Sequence, residues 1–367
     1  MLFERRIRMK TIYFIYGDLM TARELLYVAR VLEKREFLIR HIVDQSETER
    51  AAAVLNKNNI KYTKSIPMSK DMPDVILSGT SATAISAQTE WTKFGKNKGI
   101  PTIWFEDTYG TNIRVLDVSP DILCVIDSIA SDMIYKTKRD VRIEVVGKPS
   151  FESFIKYINK TLEIRENVCK KLRIKECAFI ITLWSGGICT NRIEAHIKAL
   201  YNLNKLTDRD IVYLPRMHPK FPDKSMINLS FRNNPGVNII DTANFKNPDN
   251  LIATSNVNIS EWSSNVGYAS AVFGIPSVMC LFPIYGPDGK KDRLSRGLKD
   301  GIPPLISENA GWGANSPKHL KKILSKLMNN ETEMKKQVHN NSLIFRNLLE
   351  NIGAAERIAD VVENCVK

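Results

Sequence analysis

The chain has 367 residues, of which 43% are hydrophobic and 25% charged, and its formal net charge is +13. These values are typical of a globular protein of roughly two domains. No run approaches the roughly 18 to 20 continuous apolar residues of a membrane span, and no signal-peptide core follows the basic start. We therefore expect a cytoplasmic protein without a transmembrane helix.

Strands alternate with helices in the first half of the chain. The β-branched and aromatic run 11–16 is closed by Gly17-Asp18, and apolar residues at helical spacing follow it. The same pattern predicts further strands at 36–43, 60–65, 74–81, 101–110, 121–128 and 142–147. This alternation indicates parallel βαβ units with helices on both faces of a buried sheet.

A charged helical connector interrupts the series before the pattern starts again. Strands are predicted at 178–187, 210–219, 237–242, the start of 256–278 and 277–283, and helices at 316–329 and 331–366, the last interrupted at Gly353. The predicted domains are 1–148 (Rossmann-like, acceptor side), 149–175 (connector), 176–340 (Rossmann-like, donor side) and 341–367 (a C-terminal helix expected to return to the first domain).

The fold class predicted from these elements is α/β, with two Rossmann-like domains facing each other across a cleft. Open α/β sheets bind ligands beyond the carboxyl ends of their strands, and the polar loops of this chain fall at such ends. The cleft is therefore the predicted ligand site.

The positive charge predicts anionic partners: phosphorylated substrates, an acidic membrane face or nucleic acid. Nucleic acid is the weaker option because the sequence has no recognition helix, RNA-binding aromatic signature or zinc finger. Six scattered cysteines without a CxxC pair favour neither a zinc site nor a disulfide framework. No DxD-type acidic pair is present, so no metal ligand is predicted.

Three loops of the second half are candidates for binding a phosphate-bearing donor. Glycines after a strand let backbone amides approach a phosphate, an Arg and a His can donate to its oxygens, and a helix N-terminus attracts anions. The candidate residues are Ser185, Gly186, Gly187, Arg216, His218, Ser263, Ser264 and Asn265. Each loop also has an ordinary explanation, namely a tight turn, a structural histidine or a serine-capped helix.

The first half supplies candidates for the acceptor side and the base. Glu106 and Asp107 end a hydrophobic strand, where two adjacent carboxylates can raise the pKa of one of them. A turn or capping carboxylate is the alternative explanation. Asp18 and Ser81 follow other strands and are further acceptor-side candidates. No His accompanies the hydroxyl-rich run 78–83, which argues against a serine nucleophile.

Four segments carry a resemblance to a known superfamily: VVGKPSFESF at the domain junction, LPRMHP, the stretch 256–278 and GWGANSPKHLKKIL. Together they resemble the GT-B superfamily of two-domain, nucleotide-sugar-using glycosyltransferases over nearly the whole chain. Glu106-Asp107, His218-Pro219 and Ser263-Ser264 are similar to motifs of bacterial sialyltransferases, and Arg216 with His218 resembles the CDP-glycerol polyol-phosphate transferases.

The resemblance implies residue roles. Asp107 would deprotonate an acceptor hydroxyl, while His218 and the two serines would hold the donor phosphate. Ala269 stands where many members have a ribose-binding carboxylate, and Thr108 where the sialyltransferase motif has Gly.

The leading hypothesis is an inverting, metal-independent glycosyltransferase without a cofactor. It would use a CMP-, CDP- or UDP-linked sugar as co-substrate and a surface glycan or glycolipid as acceptor, docked on an anionic membrane surface. Two alternatives stay open: a non-hydrolysing UDP-sugar 2-epimerase, although Trp262-Ser263-Ser264-Asn265 replaces the Asp-Ser-Gly-Gly turn of that group, and a non-catalytic nucleotide- or phosphate-binding module.

Overall fold

A computed structural model describes residues 8–17, 19–43, 48–64, 72–80, 85–109, 117–136, 140–184, 203, 209–216, 238–242, 244–261, 265–281, 302–350 and 352–367. The chain divides into two compact units. Unit 1 contains Met1–Glu152 and Leu348–Lys367, and unit 2 contains Ser153–Asn347.

Unit 1 contains a parallel six-stranded sheet. Its strands are β1 (Thr11–Tyr16), β2 (Leu38–Val43), β3 (Val75–Gly79), β4 (Thr102–Glu106), β5 (Ile122–Val125) and β6 (Arg142–Val145). They lie in the order β2-β1-β3-β4-β5-β6, and each neighbouring pair is parallel. The four central strands are buried throughout and the two edge strands are partly exposed, as expected when helices cover both faces of a sheet.

Unit 2 contains a second parallel six-stranded sheet. Its strands are β7 (Phe179–Trp184), β8 (Ile211–Arg216), β9 (Asn238–Ile239), β10 (Val257–Glu261), β11 (Ser277–Cys280) and β12 (Trp312–Ala314). Their order is β12-β11-β10-β7-β8-β9, again with every neighbouring pair parallel.

Helices connect the strands in both units. In chain order they are α1 (Leu19–Lys34), α2 (Thr48–Lys57), α3 (Ile85–Lys98), α4 (Ser128–Tyr135), α5 (Pro149–Ile158), α6 (Thr161–Leu172), α7 (Pro248–Thr254), α8 (Asn265–Val272), α9 (Pro304–Ser307), α10 (Pro317–Asn329), α11 (Glu331–Glu350) and α12 (Ala354–Cys365). The predicted α/β class is confirmed, because each unit is a Rossmann-like parallel sheet with helices.

Each core lies between a sheet and the apolar stripe of a helix. In unit 1, Tyr13 and Ile15 of β1 pack with Trp91 of α3. In unit 2, Leu320 and Leu324 of α10 pack against alternate residues of the sheet. The period of two in the strands and of about 3.6 in the helices produces both contacts.

The predicted strand at 60–65 is wrong. Within the described part of this segment, Thr63 forms an isolated parallel bridge with Ile42, made of two backbone hydrogen bonds of 2.9 Å, and no strand forms. Lys61 and Lys64 flank Thr63, and charged residues at a sheet edge favour solvent over further pairing. The three-residue strand β12 was not predicted, since Trp-Gly-Ala has no recognisable alternation.

A half-buried arginine in the predicted connector ties α6 to the amino ends of the unit 2 strands. Arg165 donates to the carbonyl oxygens of Thr254 (2.5 Å) and Ala178 (3.0 Å) and to Oδ1 of Asn256 (3.2 Å). The connector consists of two helices, α5 and α6, and this arginine fixes the second of them on the sheet.

Candidate functional site

Strand order shows where each sheet can bind a ligand. In unit 1 the order reverses between β1 and β3, and in unit 2 it reverses between β7 and β10. Open α/β sheets bind ligands beyond the carboxyl ends of the strands at such a reversal. These two edges are therefore the candidate positions for a ligand site.

Eight of the predicted site residues lie outside the described part of the chain. They are Asp18, Ser81, Ser185, Gly186, Gly187, His218, Ser263 and Ser264. The other four, Glu106, Asp107, Arg216 and Asn265, are described, and each lies at the carboxyl end of a strand or at the start of the following helix.

Glu106 and Asp107 are adjacent in sequence but have different partners. Glu106 is the last residue of β4, is fully buried and accepts a hydrogen bond from the Thr108 hydroxyl. Asp107 follows the strand, and its side chain is 10% exposed. Two residues after Asp107, the Tyr109 hydroxyl donates to Oδ2 of Asp127 at 2.8 Å and anchors this segment.

A buried lysine, which sequence reasoning did not single out, holds Asp107. Lys148 Nζ donates to the Asp107 carbonyl oxygen at 2.8 Å and lies 3.5 Å from its carboxylate Oδ2. The ammonium also lies 5.1 Å from the centre of the Phe151 ring. Only 1% of the Lys148 side chain is exposed, so Asp107 interacts with a fixed positive charge rather than with a solvated one.

The same lysine contacts a second buried carboxylate, Glu24 of α1. Glu24 Oε1 lies 3.9 Å from Lys148 Nζ, and Oε2 accepts the Ser150 backbone N–H at 2.8 Å. Burial is the main cause that raises the pKa of Glu24, and the Asp107 charge raises it further, while Lys148 and the Ser150 hydrogen bond act in the opposite direction. We call these three residues the Glu24–Lys148–Asp107 cluster.

The edge of unit 1 next to the strand-order reversal is tightly packed. A Cβ atom on Gly79 would lie 2.3 Å from Cγ2 of Thr21 in the first turn of α1, so only glycine fits there. Gln88 of α3 is fully buried and donates to the Gly79 carbonyl oxygen at 2.6 Å. Its Oε1 atom has no hydrogen-bond partner among the residues that the structure describes.

In unit 2 three strand ends lie side by side. Trp184 at the end of β7 is in register with Arg216 of β8 on one side and with Ser260 of β10 on the other. Neighbouring strands are about 4.8 Å apart. The three loops predicted to bind the donor therefore leave the sheet from adjacent positions on one edge.

Arg216 is partly occupied by a structural contact at this edge. One guanidinium N–H donates to the Thr242 carbonyl oxygen, and the Thr242 hydroxyl donates to the Pro215 carbonyl oxygen at 2.5 Å. Burial lowers the pKa of Arg216, and the Asp241 charge raises it. A half-buried guanidinium at a strand end places a positive charge at the edge where open α/β sheets bind ligands.

The helix that follows β10 begins at the predicted residue. Asn265 is the first residue of α8, and the first backbone N–H groups of any α-helix have no partner within the helix itself. Gly267 allows α8 to pack closely, since a Cβ atom there would lie 2.4 Å from Cε of Met279. Ser260, near the end of β10, is fully buried, and its hydroxyl has no hydrogen-bond partner within the described ranges.

Solved structures with this arrangement identify the fold. UDP-GlcNAc 2-epimerase from Neisseria meningitidis bound to UDP-GlcNAc is 13% identical, with a TM-score of 0.69, covering 96% of this chain and 100% of that one. Acinetobacter baumannii MurG is 12% identical, with a TM-score of 0.62 and coverages of 97% and 99%. The wall teichoic acid polymerase TagF is 15% identical, with a TM-score of 0.57 and coverages of 97% and 89%.

The chain has the GT-B fold. Identities of this size establish the fold alone. No protein-family model and no curated protein sequence matches the chain.

A shallow depression of about 590 Å³ lies beside the amino ends of β4 and β5, away from the carboxyl ends of the strands. Its charged lining residues are Lys93, Lys96, Asp117, Asp121 and Asp140. Asp121 is engaged, because its carboxylate accepts the Thr102 backbone N–H at 2.8 Å. The depression lies at the sheet edge opposite to Asp107 and is therefore separate from the candidate site.

Within its described residues the chain has neither a cluster of metal ligands nor a membrane-spanning helix. No group of three or more His, Cys, Asp or Glu side chains is placed to hold a metal ion. No helix in that part of the chain combines the length and the apolar character needed to cross a membrane.

Sequence reasoning missed four residues near the carboxyl edges of the two sheets: Glu24, Gln88, Lys148 and Ser260. Lys148 had the clearest signal, because a lysine between Gly147 and Pro149 directly after a strand lies at a carboxyl end. Glu24 had no signal, since a glutamate in an amphipathic helix is usually solvated.

Proposed function

We propose that this protein is a glycosyltransferase that moves a sugar from a nucleotide-activated donor to a surface-glycan or glycolipid acceptor with inversion. The observation that carries the proposal is the position of Asp107, a carboxylate at the carboxyl edge of the unit 1 sheet that a buried lysine holds in place. In this proposal unit 2 binds the donor and unit 1 supplies the base.

Donor binding by unit 2 is supported by the adjacent strand ends. Arg216 carries a positive charge there, and the α8 N-terminus presents backbone N–H groups, so both can stabilise the negative charge that develops on a leaving phosphate. This chemistry suits CMP-, CDP- or UDP-linked sugars. We expect the nucleotide sugar to be a co-substrate and the reaction to need no metal or other cofactor.

Asp107 is the proposed general base. It would accept the proton of the acceptor hydroxyl while that oxygen attacks the anomeric carbon from the face opposite to the leaving nucleotide. General-base catalysis by a positioned side chain contributes roughly 10² to 10⁴-fold in rate. The net charge of +13 further suggests docking on an anionic membrane surface, where lipid-linked acceptors are found.

A UDP-sugar 2-epimerase is the second candidate. The similarity to the Neisseria meningitidis 2-epimerase, with a TM-score of 0.69 over 96% of this chain, favours it. An epimerase would change the configuration of its nucleotide sugar with no acceptor present, whereas a glycosyltransferase needs the acceptor. This difference separates the two candidates directly.

The first test is binding. The purified protein is heated with CMP-, CDP-, UDP- or GDP-linked sugars, and a ligand present at 100 times its Kd stabilises the folded state by about 2.7 kcal/mol. We expect at least one pyrimidine nucleotide sugar to raise the melting temperature of the parent protein. The same sugar should raise the melting temperature of Arg216→Ala by a smaller amount. If no donor raises it, the donor site proposed for unit 2 is wrong.

The second test is turnover, followed by chromatography of the nucleotide and sugar products with and without acceptor glycans and with EDTA. We expect sugar transfer to an acceptor, insensitive to EDTA, that falls at least about 100-fold in Asp107→Asn while donor binding is retained. Asp117→Asn is the matched control, because this exposed aspartate lies by the depression at the opposite sheet edge. Epimerisation without acceptor would favour the second candidate, and binding without any turnover would leave a nucleotide-binding module.

A further inference from the structure

The Glu24–Lys148–Asp107 cluster has one positive charge for two carboxylates. Glu24 is fully buried and only 1% of the Lys148 side chain is exposed, so water contributes little to neutralising either charge. With both carboxylates ionised the cluster carries one uncompensated negative charge, and binding a single proton makes it neutral. Buried groups coupled in this way take up protons as a unit.

A lone aspartate beside a buried lysine would be a poor base. The ammonium stabilises the carboxylate, and a stabilised carboxylate has little tendency to take a proton. In this chain, however, Lys148 Nζ lies 3.5 Å from Asp107 and 3.9 Å from Glu24. If Asp107 becomes protonated, the ammonium still has a carboxylate partner in Glu24.

We infer that Glu24 is a positioning residue for Asp107, because it supplies the second carboxylate on one shared lysine and so gives the pair affinity for one proton. The role of Asp107 as base rests on the proposed function. In the transfer step, the acceptor O–H bond breaks as an O–H bond to Asp107 forms, the acceptor oxygen bonds to the sugar carbon, and the nucleotide leaves with the electron pair of the broken bond. Lys148 keeps Glu24 as its partner when Asp107 takes up the proton.

The groups that act on Glu24 come from the start of α5 and from the end of β4. Lys148 lies just before α5, Asp107 lies just after β4, and the Ser150 amide donates from the first turn of α5. Because the folded state raises the pKa of Glu24, the stability that it contributes is fully present below the unfolded value of 4.5 and is lost as pH rises through the folded pKa. A glutamine at this position would keep the acceptor for the Ser150 amide and remove the pH-dependent loss.

The test needs no substrate, so it stands even if the proposed function fails. Melting temperatures of the full chain and of Glu24→Gln are measured from pH 4.5 to 8.5. We expect similar values at pH 4.5 and a gain for Glu24→Gln that grows with pH to about 3 °C or more. Glu152→Gln is the matched control, since Glu152 also accepts a backbone N–H, from Ala354 at 2.5 Å, and lies outside the cluster. The pH-dependent gain of Glu24→Gln should exceed any change that this control shows.

The coupling to Asp107 is tested by repeating the comparison in Asp107→Asn. Removing the Asp107 charge removes one cause of the raised pKa of Glu24, so the pH-dependent gain from Glu24→Gln should shrink. The inference is overturned if Glu24→Gln gives the same gain in the parent protein and in Asp107→Asn. It is also overturned if Glu24→Gln changes stability equally at every pH, because either result means that the two carboxylates do not share a proton.

An active enzyme permits a further measurement. Glu24→Gln should shift the acidic limb of the pH profile of kcat to lower pH and lower the maximal kcat about tenfold, with KM unchanged, because Asp107 becomes a weaker base. A purely structural role for Glu24 would lower activity at all pH values without moving the limb, and that result would contradict the inference.

Discussion

Tyr16 and His41 form a buried polar pair beside the strand-order reversal of unit 1. Their rings are stacked with centroids 5.7 Å apart, and the Tyr16 hydroxyl lies 2.6 Å from Nδ1 of His41. Burial raises the pKa of Tyr16, which keeps its hydroxyl protonated. Burial lowers the pKa of His41 to about 4, so the folded protein holds a neutral imidazole.

This pair predicts a loss of stability in mild acid. The unfolded chain binds a proton at His41 near pH 6.5, whereas the folded chain binds it near pH 4. Stability is therefore fully present above 6.5 and decreases as pH falls to 4, by about 3 kcal/mol in all. Urea unfolding of the parent and of His41→Gln at several pH values should show the two curves converging as pH falls. Parallel curves would mean that His41 titrates alike in both states.

Single residues also explain why the site was only partly predictable. Asp107 could be predicted because a carboxylate directly after a buried strand must lie at the ligand-binding edge. Lys148 reaches the Asp107 carbonyl oxygen 41 positions earlier in the chain, and no local pattern indicates such a contact. The expectation that Glu106 and Asp107 act on each other did not include Glu24, whose pKa the Asp107 charge raises.

At the scale of elements, the strands were predictable where they are central and buried. The run 11–16 coincides with β1 because β-branched and aromatic residues fill both faces of a covered strand. The edge strand β12 was not predicted, because it has three residues and pairs with a strand more than 30 positions earlier in the chain. The edge strand β9 has only two residues within the strand predicted at 237–242. The order of strands in each sheet is likewise set by crossover connections rather than by local pattern.

The contact between α1 and β3 predicts a steric effect with a specific rescue. A Cβ atom at position 79 would lie 2.3 Å from Cγ2 of Thr21, so Gly79→Ala should lower the free energy of unfolding by about 1 to 3 kcal/mol. Thr21→Ala removes the clashing methyl group and should restore part of that loss in the double variant. Gly99→Ala is an informative contrast, because Gly99 has open space but a φ of +66°, so its cost would come from backbone strain that Thr21→Ala cannot relieve. A double variant no more stable than Gly79→Ala would exclude the clash as the cause.

At the scale of the whole molecule, the end of the chain is part of the first unit. Residues 348–367 belong to unit 1, where α12 packs against α1 and β3. The buried face of α12 consists of Ala354, Ala355, Ile358, Ala359 and Val362. Arg357 adds hydrogen bonds of 2.7 and 3.0 Å to the Val146 carbonyl oxygen. Unit 1 is therefore discontinuous in sequence and complete only when the last helix has been made.

Removal of residues 353–367 should consequently destabilise unit 1 selectively. Burial of Ile358 and Val362 alone is worth about 3 to 6 kcal/mol, and that contribution is lost with the helix. Hydrogen exchange should show lower amide protection in β1 and β3 of unit 1, while β7 and β10 of unit 2 keep theirs, because local stability follows the contacts of each cooperative unit. Removal of Val366 and Lys367, which follow α12, is the control and should leave all four strands protected. Equal loss of protection in both units would instead mean that the two units unfold as one cooperative body, and unchanged protection in β1 and β3 would mean that α12 contributes little to the stability of unit 1.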